Sequence, residues 1–301
     1  MELQVLSERT RLIPGPANIG VIMLDGDRVA LIDSGLDRRM ARRVLELLNA
    51  YRLQPSVILN THAHADHCGG NAFIQAATQC RILASAPEAA AAAHPLMQAI
   101  ALYGGAPPDE LMNPLVMAEP SKADTIEAGN LDLDGVEIEV LPLGGHSIGQ
   151  LGFLVDGVAF LADTLFPLHT LRKHRLPFLY DPLAHLETLE RLHEIRATTY
   201  VGGHFPPESR IELLLVENTA AVRSAFALLK RLLEVPQPYD RLAKQFFGSF
   251  ELKKTGWEHF LYRATLSGYL SALKRNGEAD YRIMDNLPVW FATGKPGKRT
   301  V

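Results

Sequence analysis

Four residues able to bind a metal ion fall within six positions: His62, His64, Asp66 and His67, in the run Thr61-His62-Ala63-His64-Ala65-Asp66-His67-Cys68-Gly69-Gly70. The run follows an apolar stretch, Val57-Ile58-Leu59, and ends in two glycines. Imidazoles and a carboxylate at such density, at the end of a buried strand, would repel or desolvate badly without a cation among them. Three further ligand types stand in the same setting, each closing an apolar, strand-like run. They are His146 after residues 140–145, Asp163 after 158–162 and His204 after 200–203. Strand ends at one rim of a sheet are where sites are commonly assembled. Glycines beside His146 and His204 permit close approach of the backbone.

The seven residues comprise five imidazoles and two carboxylates. That set suits two divalent ions, zinc first, with iron or manganese as alternatives, because imidazole and carboxylate without thiolate favour these metals. A carboxylate at Asp163 could bridge them. Two ions roughly 3.5–4 Å apart would hold a hydroxide between them and aim it at an electrophile. Asp33 is read as a supporting carboxylate rather than a ligand, and Cys68 as a small buried residue beside two glycines rather than a nucleophile. His169, Arg172, Lys173, His174 and Arg175 follow Asp163 and offer positive charge to an anionic substrate group; a solvated loop is the simpler account of them. His185, His193 and His259 sit in helical patterns, and His94 before Pro95 ends a helix. Tyr103 and Tyr180 could supply a hydrogen bond to substrate, with ordinary packing the simpler account of each.

The elements that must position these groups alternate in type. Residues 18–34 read as a hairpin turning at Asp25-Gly26-Asp27. A helix follows over 38–51, with Met40, Val44, Leu45 and Leu48 at helical spacing. Residues 55–60 are the strand that carries the ligand run, 70–77 a short helix and 81–84 a strand. Residues 85–120, with an alanine tract and Gly104-Gly105-Ala106-Pro107-Pro108, predict two short helices and a loop inserted near the site. Strands resume at 131–133 and 136–141 around Asp134-Gly135, then at 150–155 and 158–162 around Asp156-Gly157. A helix over 182–195, a strand at 199–201 and a long helix over 207–233 complete the first unit, residues 1–235. The long helix includes Leu213, Val216, Ala220, Ala227 and Leu228 among its apolar positions. Val235-Pro236-Gln237-Pro238 breaks it. Residues 236–301 form a second unit: helix within 257–275, then strand–turn–strand within 278–291 around Asp285-Asn286, the outline of a winged-helix-like module. Residues 294–301 read as a tail.

Whole-chain features bound the function. The chain has 301 residues, 47% of them hydrophobic, and a formal net charge of −4, so no global basic field argues for nucleic acid. Lys253-Lys254 and Lys274-Arg275 are only short basic pairs. No apolar stretch is long enough to span a bilayer. With two cysteines, one inside the ligand run, and no basic-then-apolar leader, a reducing cytoplasmic setting is expected.

At these residues the chain resembles the metallo-β-lactamase-fold hydrolase superfamily. The resemblance spans about 18–204 and rests on Leu31-Ile32-Asp33-Ser34-Gly35, the His-x-His-x-Asp-His run at 62–67, Gly145-His146-Ser147, Ala162-Asp163-Thr164-Leu165-Phe166 and Gly203-His204. It implies an α+β fold, an αββα sandwich with the site at one sheet edge, here with the small C-terminal winged-helix-like domain. It implies His62, His64 and His146 on a first metal, Asp66, His67 and His204 on a second, and Asp163 bridging, with Asp66 orienting the hydroxide and carrying the proton. The bridging aspartate and the 162–166 segment resemble the glyoxalase II and lactonase-like branch. The expected reaction is therefore cleavage of a thioester, ester or lactone of a small molecule. The alternatives are a nuclease of the same fold, a β-lactam hydrolase, a single-iron persulfide dioxygenase, and a non-catalytic module. Homodimerisation through 236–301 is compatible with any of them.

Overall fold

The structure is a computed structural model and describes residues 2–252 and 256–298. Lys253 and Lys254, and the last three residues of the expected tail, lie outside the described residues. Strands β1 (Gln4–Val5), β2 (Thr10–Ile13), β3 (Ile19–Met23) and β4 (Arg28–Ile32) form an antiparallel meander. Helix α1 (Arg38–Ala50) then crosses to β5 (Gln54–Leu59), which runs parallel to β4. Two short helices, α2 (Ala65–Cys68) and α3 (Asn71–Thr78), lead to β6 (Arg81–Ala84). Helices α4 (Ala86–Ala93) and α5 (Leu96–Tyr103) lead to β7 (Asp124–Thr125). Both of these strands are again parallel to their neighbours, which completes a seven-stranded sheet in chain order.

The second sheet has the order β12-β11-β10-β9-β8. Its strands β8 (Gly129–Leu133), β9 (Val136–Pro142), β10 (Leu151–Val155) and β11 (Val158–Ala162) are antiparallel. After α6 (Leu168–His174) and α7 (Pro182–Arg191), β12 (Thr199–Gly202) pairs parallel with β11. The chain then forms α8 (Glu212–Leu233), β13 (Gln237–Pro238), α9 (Tyr239–Ser249), α10 (Gly256–Asn276) and the hairpin β14 (Ala279–Met284) and β15 (Leu287–Ala292), with β13 on the free edge of β15.

Three apolar layers give the expected αββα sandwich. Leu12, Ile22, Ile32, Leu59 and Phe153, Phe160, Val201 close the space between the sheets. Alternate residues Val21, Leu31 and Ile58 face outward and meet Val44 and Leu48 of α1 and Ile74 of α3. Burying Val44 and Leu48 completely stabilises this contact by about 2 kcal/mol each. On the far side, Leu161 and Ala159 meet Leu189, Phe226, Phe246, Tyr269 and Leu273, so α9 and α10 share one core with α7 and α8. The turns fall where two residues can adopt positive φ, as a tight two-residue hairpin demands: Asp134 and Gly135 (55° and 82°), Asp156 and Gly157 (50° and 73°), Asp285 and Asn286 (50° and 62°).

Several local features go beyond the sequence expectation. Residues 205–211 stay out of α8 because Glu208 bridges to Tyr200 beside β12. The buried face of α8 is Leu215, Val222, Phe226, Leu229 and Leu233, while Leu213 and Val216, two of its apolar positions, face solvent. Helix α9, absent from the sequence reading, buries Leu242, Ala243 and Phe246 directly after the proline-rich break. Residues 168–174 are a short helix rather than a loop. Among the described residues no helix is long and apolar enough to cross a membrane.

Candidate metal centre

The carboxyl ends of the parallel strands converge on one rim. Asp33 directly follows β4, the ligand run follows β5, Asp163 follows β11, and His204 lies two residues beyond β12. His146 sits in the loop between β9 and β10. One turn of helix decides how the run divides. The amides of His67 and Cys68 donate to the carbonyl of His64, closing α2. His62 and His64 therefore project from extended chain, and Asp66 and His67 from the helix. The back of that turn is pinned by Ser34, whose amide donates to the His67 carbonyl at 2.8 Å, and by the amide of Gly70 on Gly35.

The ring tautomers follow from the outer hydrogen bonds. His146 Nδ1 faces the Phe178 carbonyl at 3.0 Å, and His204 Nδ1 faces the Pro16 carbonyl at 2.6 Å, so each must donate. His67 Nδ1 donates to Asp33 Oδ2 at 2.7 Å. The Thr61 hydroxyl gives its proton to the same oxygen at 2.8 Å, which leaves it to accept from His62 Nδ1 at 3.0 Å. Four imidazoles are thus fixed with Nε2 aimed inward, the arrangement expected of metal-ligating histidines.

The inward atoms form sets. His62 Nε2 and His146 Nε2 stand 3.0 and 2.9 Å from His64 Nδ1. Asp66 Oδ2 lies 3.3 Å from His204 Nε2 and 3.7 Å from His67 Nε2. Asp163 joins the two: its Oδ1 is 3.2 Å from His67 Nε2, and its Oδ2 is 3.2 Å from His204 Nε2 and 3.6 Å from His146 Nε2. The groups His62–His64–His146, His62–His67–Asp163 and Asp66–His67–His204 each keep their ligand atoms within 4.8 Å of one another. Ligand atoms about 2.05 Å from one tetrahedral zinc stand about 3.3 Å apart. His67 Nε2 and Asp163 Oδ1 are close yet misaligned, and both are buried without a hydrogen bond. Ligand atoms converging at this spacing, with two orphaned polar atoms among them, fit divalent cations.

Electrostatics split the same way. Burial first, then the neighbouring His67, His64 and His146 rings, hold His62 well below the usual imidazole range. Burial and the His64 ring bring His146 down to about 3, and burial also lowers His64. The other half is reversed. The Asp163 carboxylate raises His204 to about 10. Burial opposes charge on His67, but Asp163, Asp66 and Asp33 together raise it well above its ordinary value. Burial likewise works to raise both carboxyls. The His67 charge and the His204 hydrogen bond nevertheless bring Asp66 to about 2, and His204 and His67 hold Asp163 well below the carboxylate range.

All seven sequence-identified residues therefore meet at one place. Asp33, in the left-handed region at φ 64°, also accepts from the Thr61 amide at 2.8 Å, a supporting role. Gly203 is required by space, since a Cβ there would stand 2.1 Å from Asp163 Oδ1 and 2.9 Å from the His67 ring. Gly203→Ala is expected to weaken metal binding by about 10–100-fold, as loss of ligand support does, read by chelator competition; unchanged affinity would show that this contact relaxes freely. Cys68 is a buried free thiol with its pKa pushed up by burial, as a packing residue should be. The basic segment does not join the ligand set: His169, Arg172 and Lys173 are exposed on α6, and Arg175 pairs with Glu251 at 3.1 Å. The His174 side chain lies outside the described residues. Tyr180 is exposed and only its amide reaches the site, donating to the His146 carbonyl; Tyr103 packs edge-on against Phe260. His185 is buried and lowered to about 4 by that burial; His193 and His259 are exposed, and His94 caps the end of α4.

Residues outside the sequence expectations also support the site. Phe178 packs its ring against both His64 and His146, and Asn18 donates to the carbonyls of Gly202 and Phe205 on either side of His204. Neither stands near a ligand in sequence, although an asparagine between β2 and β3 is a common device for fixing loops.

A model of the metallo-beta-lactamase superfamily matches residues 12–204. Hydroxyacylglutathione hydrolase of Xanthomonas axonopodis pv. citri is 31% identical over 172 residues, 56% of this chain and 54% of that protein. The same enzyme of Shewanella oneidensis is 34% identical over 124 residues, 41% of this chain and 39% of that one. The chain thus spans about half the length, or less, of these curated relatives. Among solved structures, a metallo-beta-lactamase family protein from Thermus thermophilus has 23% identity and a TM-score of 0.72, covering 94% of this chain and 97% of that one. A beta-lactamase domain protein from Burkholderia ambifaria has 17% identity and a TM-score of 0.73, covering 97% and 94%. At those identities the likeness speaks for the fold. The family match covers well over half of the chain, and this protein belongs to the metallo-beta-lactamase superfamily.

Proposed function

We propose that the chain is a dinuclear metal-dependent hydrolase that cleaves a thioester, ester or lactone of a small molecule. The observation that carries this is Asp163, whose two oxygens face both halves of the donor set. In this reading His62, His64 and His146 hold one divalent ion, Asp66, His67 and His204 a second, and Asp163 touches both. Zinc is the first choice, with iron or manganese as alternatives. Ions bound there supply a Lewis acid and an activated water at neutral pH.

The chain's own residues do the rest. Asp66 is the more accessible carboxylate of the set, its side chain 38% accessible, whereas Asp163 is buried. It can therefore orient a water and pass its proton toward a leaving group. Phe178 and Phe166, packed on His64 and His146, wall the first half of the site against water. The curated relatives are by name hydrolases of hydroxyacylglutathione, a thioester, which favours that bond class over β-lactams.

We further propose residues 1–235 as the catalytic unit and 236–301 as a winged-helix-like appendage that offers a surface for homodimerisation. The two buried free cysteines support a cytoplasmic setting. The test is metal per chain after purification without chelators, followed by a hydrolysis panel of thioesters, lactones, β-lactams and phosphodiesters on the metal-loaded protein. Two equivalents with turnover of a thioester or lactone are expected. At most one equivalent after full reconstitution, or turnover of phosphodiesters alone, would overturn the reading.

A further inference from the structure

Glu88 is a buried carboxylate that the metal reading does not use. It lies in the first turn of α4, inside the alanine tract, and is 3% exposed. All three of its hydrogen-bond partners are neutral donors on the two loops that carry the first ligand set. Glu88 Oε2 accepts from the amide of Ala63, the residue between His62 and His64, at 2.8 Å. Glu88 Oε1 accepts from the hydroxyl of Ser147, next to His146, and from the amide of Gly149, both at 2.8 Å.

The surrounding contacts hold the same joint. The side-chain amide of Gln98 on α5 donates to the Ala63 carbonyl, so both backbone polar groups of Ala63 are held from α4 and α5. The Leu151 amide donates to the Thr61 carbonyl at 2.8 Å and ties the two loops directly. Gly149 sits so close to the start of α4 that a Cβ there would meet Ser85 Oγ at 2.4 Å and Pro87 Cγ at 2.5 Å. A carboxylate is an expensive group to bury, and three donors without a cation in contact offset that cost only in part. Its negative charge reaches His64, where it favours positive charge.

We infer that Glu88 is a positioning residue for the first half of the metal centre. It sets the gap between the His62–His64 segment and the His146 loop, and its charge favours a cation among those three rings. The region read from sequence as an insertion is then part of the ligand scaffold, anchored through α4 and α5. This inference rests on the metal-binding reading above.

Glu88→Gln is the discriminating change. The amide keeps the shape but has one acceptor oxygen and one NH2 group, so in either orientation a donor faces a donor. The full-length protein is loaded with cobalt(II) and titrated against a chelator, with the visible spectrum reporting ligand geometry. Weakening of one ion by about 10–100-fold, with an altered spectrum at that ion and the other ion retained, is expected. Ser147→Ala removes one of the three bonds while leaving the charge, and should weaken the same ion by several-fold. Circular dichroism and the melting midpoint of the metal-free protein establish folding in each case. A folded Glu88→Gln protein with wild-type affinity and spectrum, or equal weakening of both ions, overturns the inference. If Glu88→Gln does not fold, wild-type affinity and spectrum in Ser147→Ala overturns it equally. Failure of the wild type to bind any ion would instead overturn the metal reading itself.

Discussion

Asp163→Ala is expected to leave the chain with about one equivalent of metal in place of two, and to lower kcat/KM for its substrate by about 10³-fold. The rate figure corresponds to losing about 4 kcal/mol of the charge stabilisation that a metal site supplies. The stoichiometry follows from the contacts. The three imidazoles of the first set lose one neighbouring oxygen, at 3.6 Å from His146, and keep their mutual arrangement. The second set loses more. Asp163 is the closest carboxylate to both His67 and His204 among the ligands, at 3.2 Å each, and the principal group that raises His204. What remains there is Asp66, half exposed, with two rings spaced for a larger set. Metal analysis and steady-state kinetics on the same preparation check both parts. Two ions retained with more than a tenth of the activity would remove Asp163 from the centre of the proposal.

Much of the site was legible in the sequence because its signals are local. The run at 62–67 is dense, and each of the other three ligands closes a short apolar strand. The hairpin turns were legible for the same reason, as Asp134-Gly135, Asp156-Gly157 and Asp285-Asn286 declare their positive φ in their side chains. What was not legible depends on distant partners. Glu88 reads as one acid in an alanine helix, and its partners lie 25, 59 and 61 residues away. Phe178 becomes part of the site only because residues 178–181 are strapped to the His146 loop, through His146 Nδ1 on the Phe178 carbonyl and the Tyr180 and Asp181 amides. The inward face of α8 was not legible either, because Leu213 and Val216 are apolar and exposed, while Asn218 is buried and spent on both backbone groups of Phe166. Apolar character alone does not mark the inward face when a polar residue has inward partners.

The two halves of the centre are expected to load metal with different pH dependence. In the metal-free protein at pH 7, burial keeps His62 and His146 neutral, so an ion entering the first set displaces no proton. His67 and His204 are raised, the latter to about 10, and both carry a proton at pH 7 beside ionised Asp66 and Asp163. An ion entering the second set must displace both protons. Its affinity should then rise by about tenfold per pH unit between pH 6 and 8 from the His204 proton alone, and more steeply where His67 gives one up as well, while the first ion's affinity stays nearly flat. Stability of the metal-free fold runs the other way for the second half. The contribution from His204 is fully present below its unfolded value of about 6.5 and is lost as pH rises toward 10. The His146 contribution is present above about 6.5 and is lost as pH falls toward 3. Calorimetric titration in buffers of different ionisation enthalpy counts the protons directly. About two protons released with the weaker ion, and none with the tighter one, is the expected outcome at pH 7. Equal release with both ions would mean that the charge pattern around Asp163 does not divide the centre into a neutral and a protonated half.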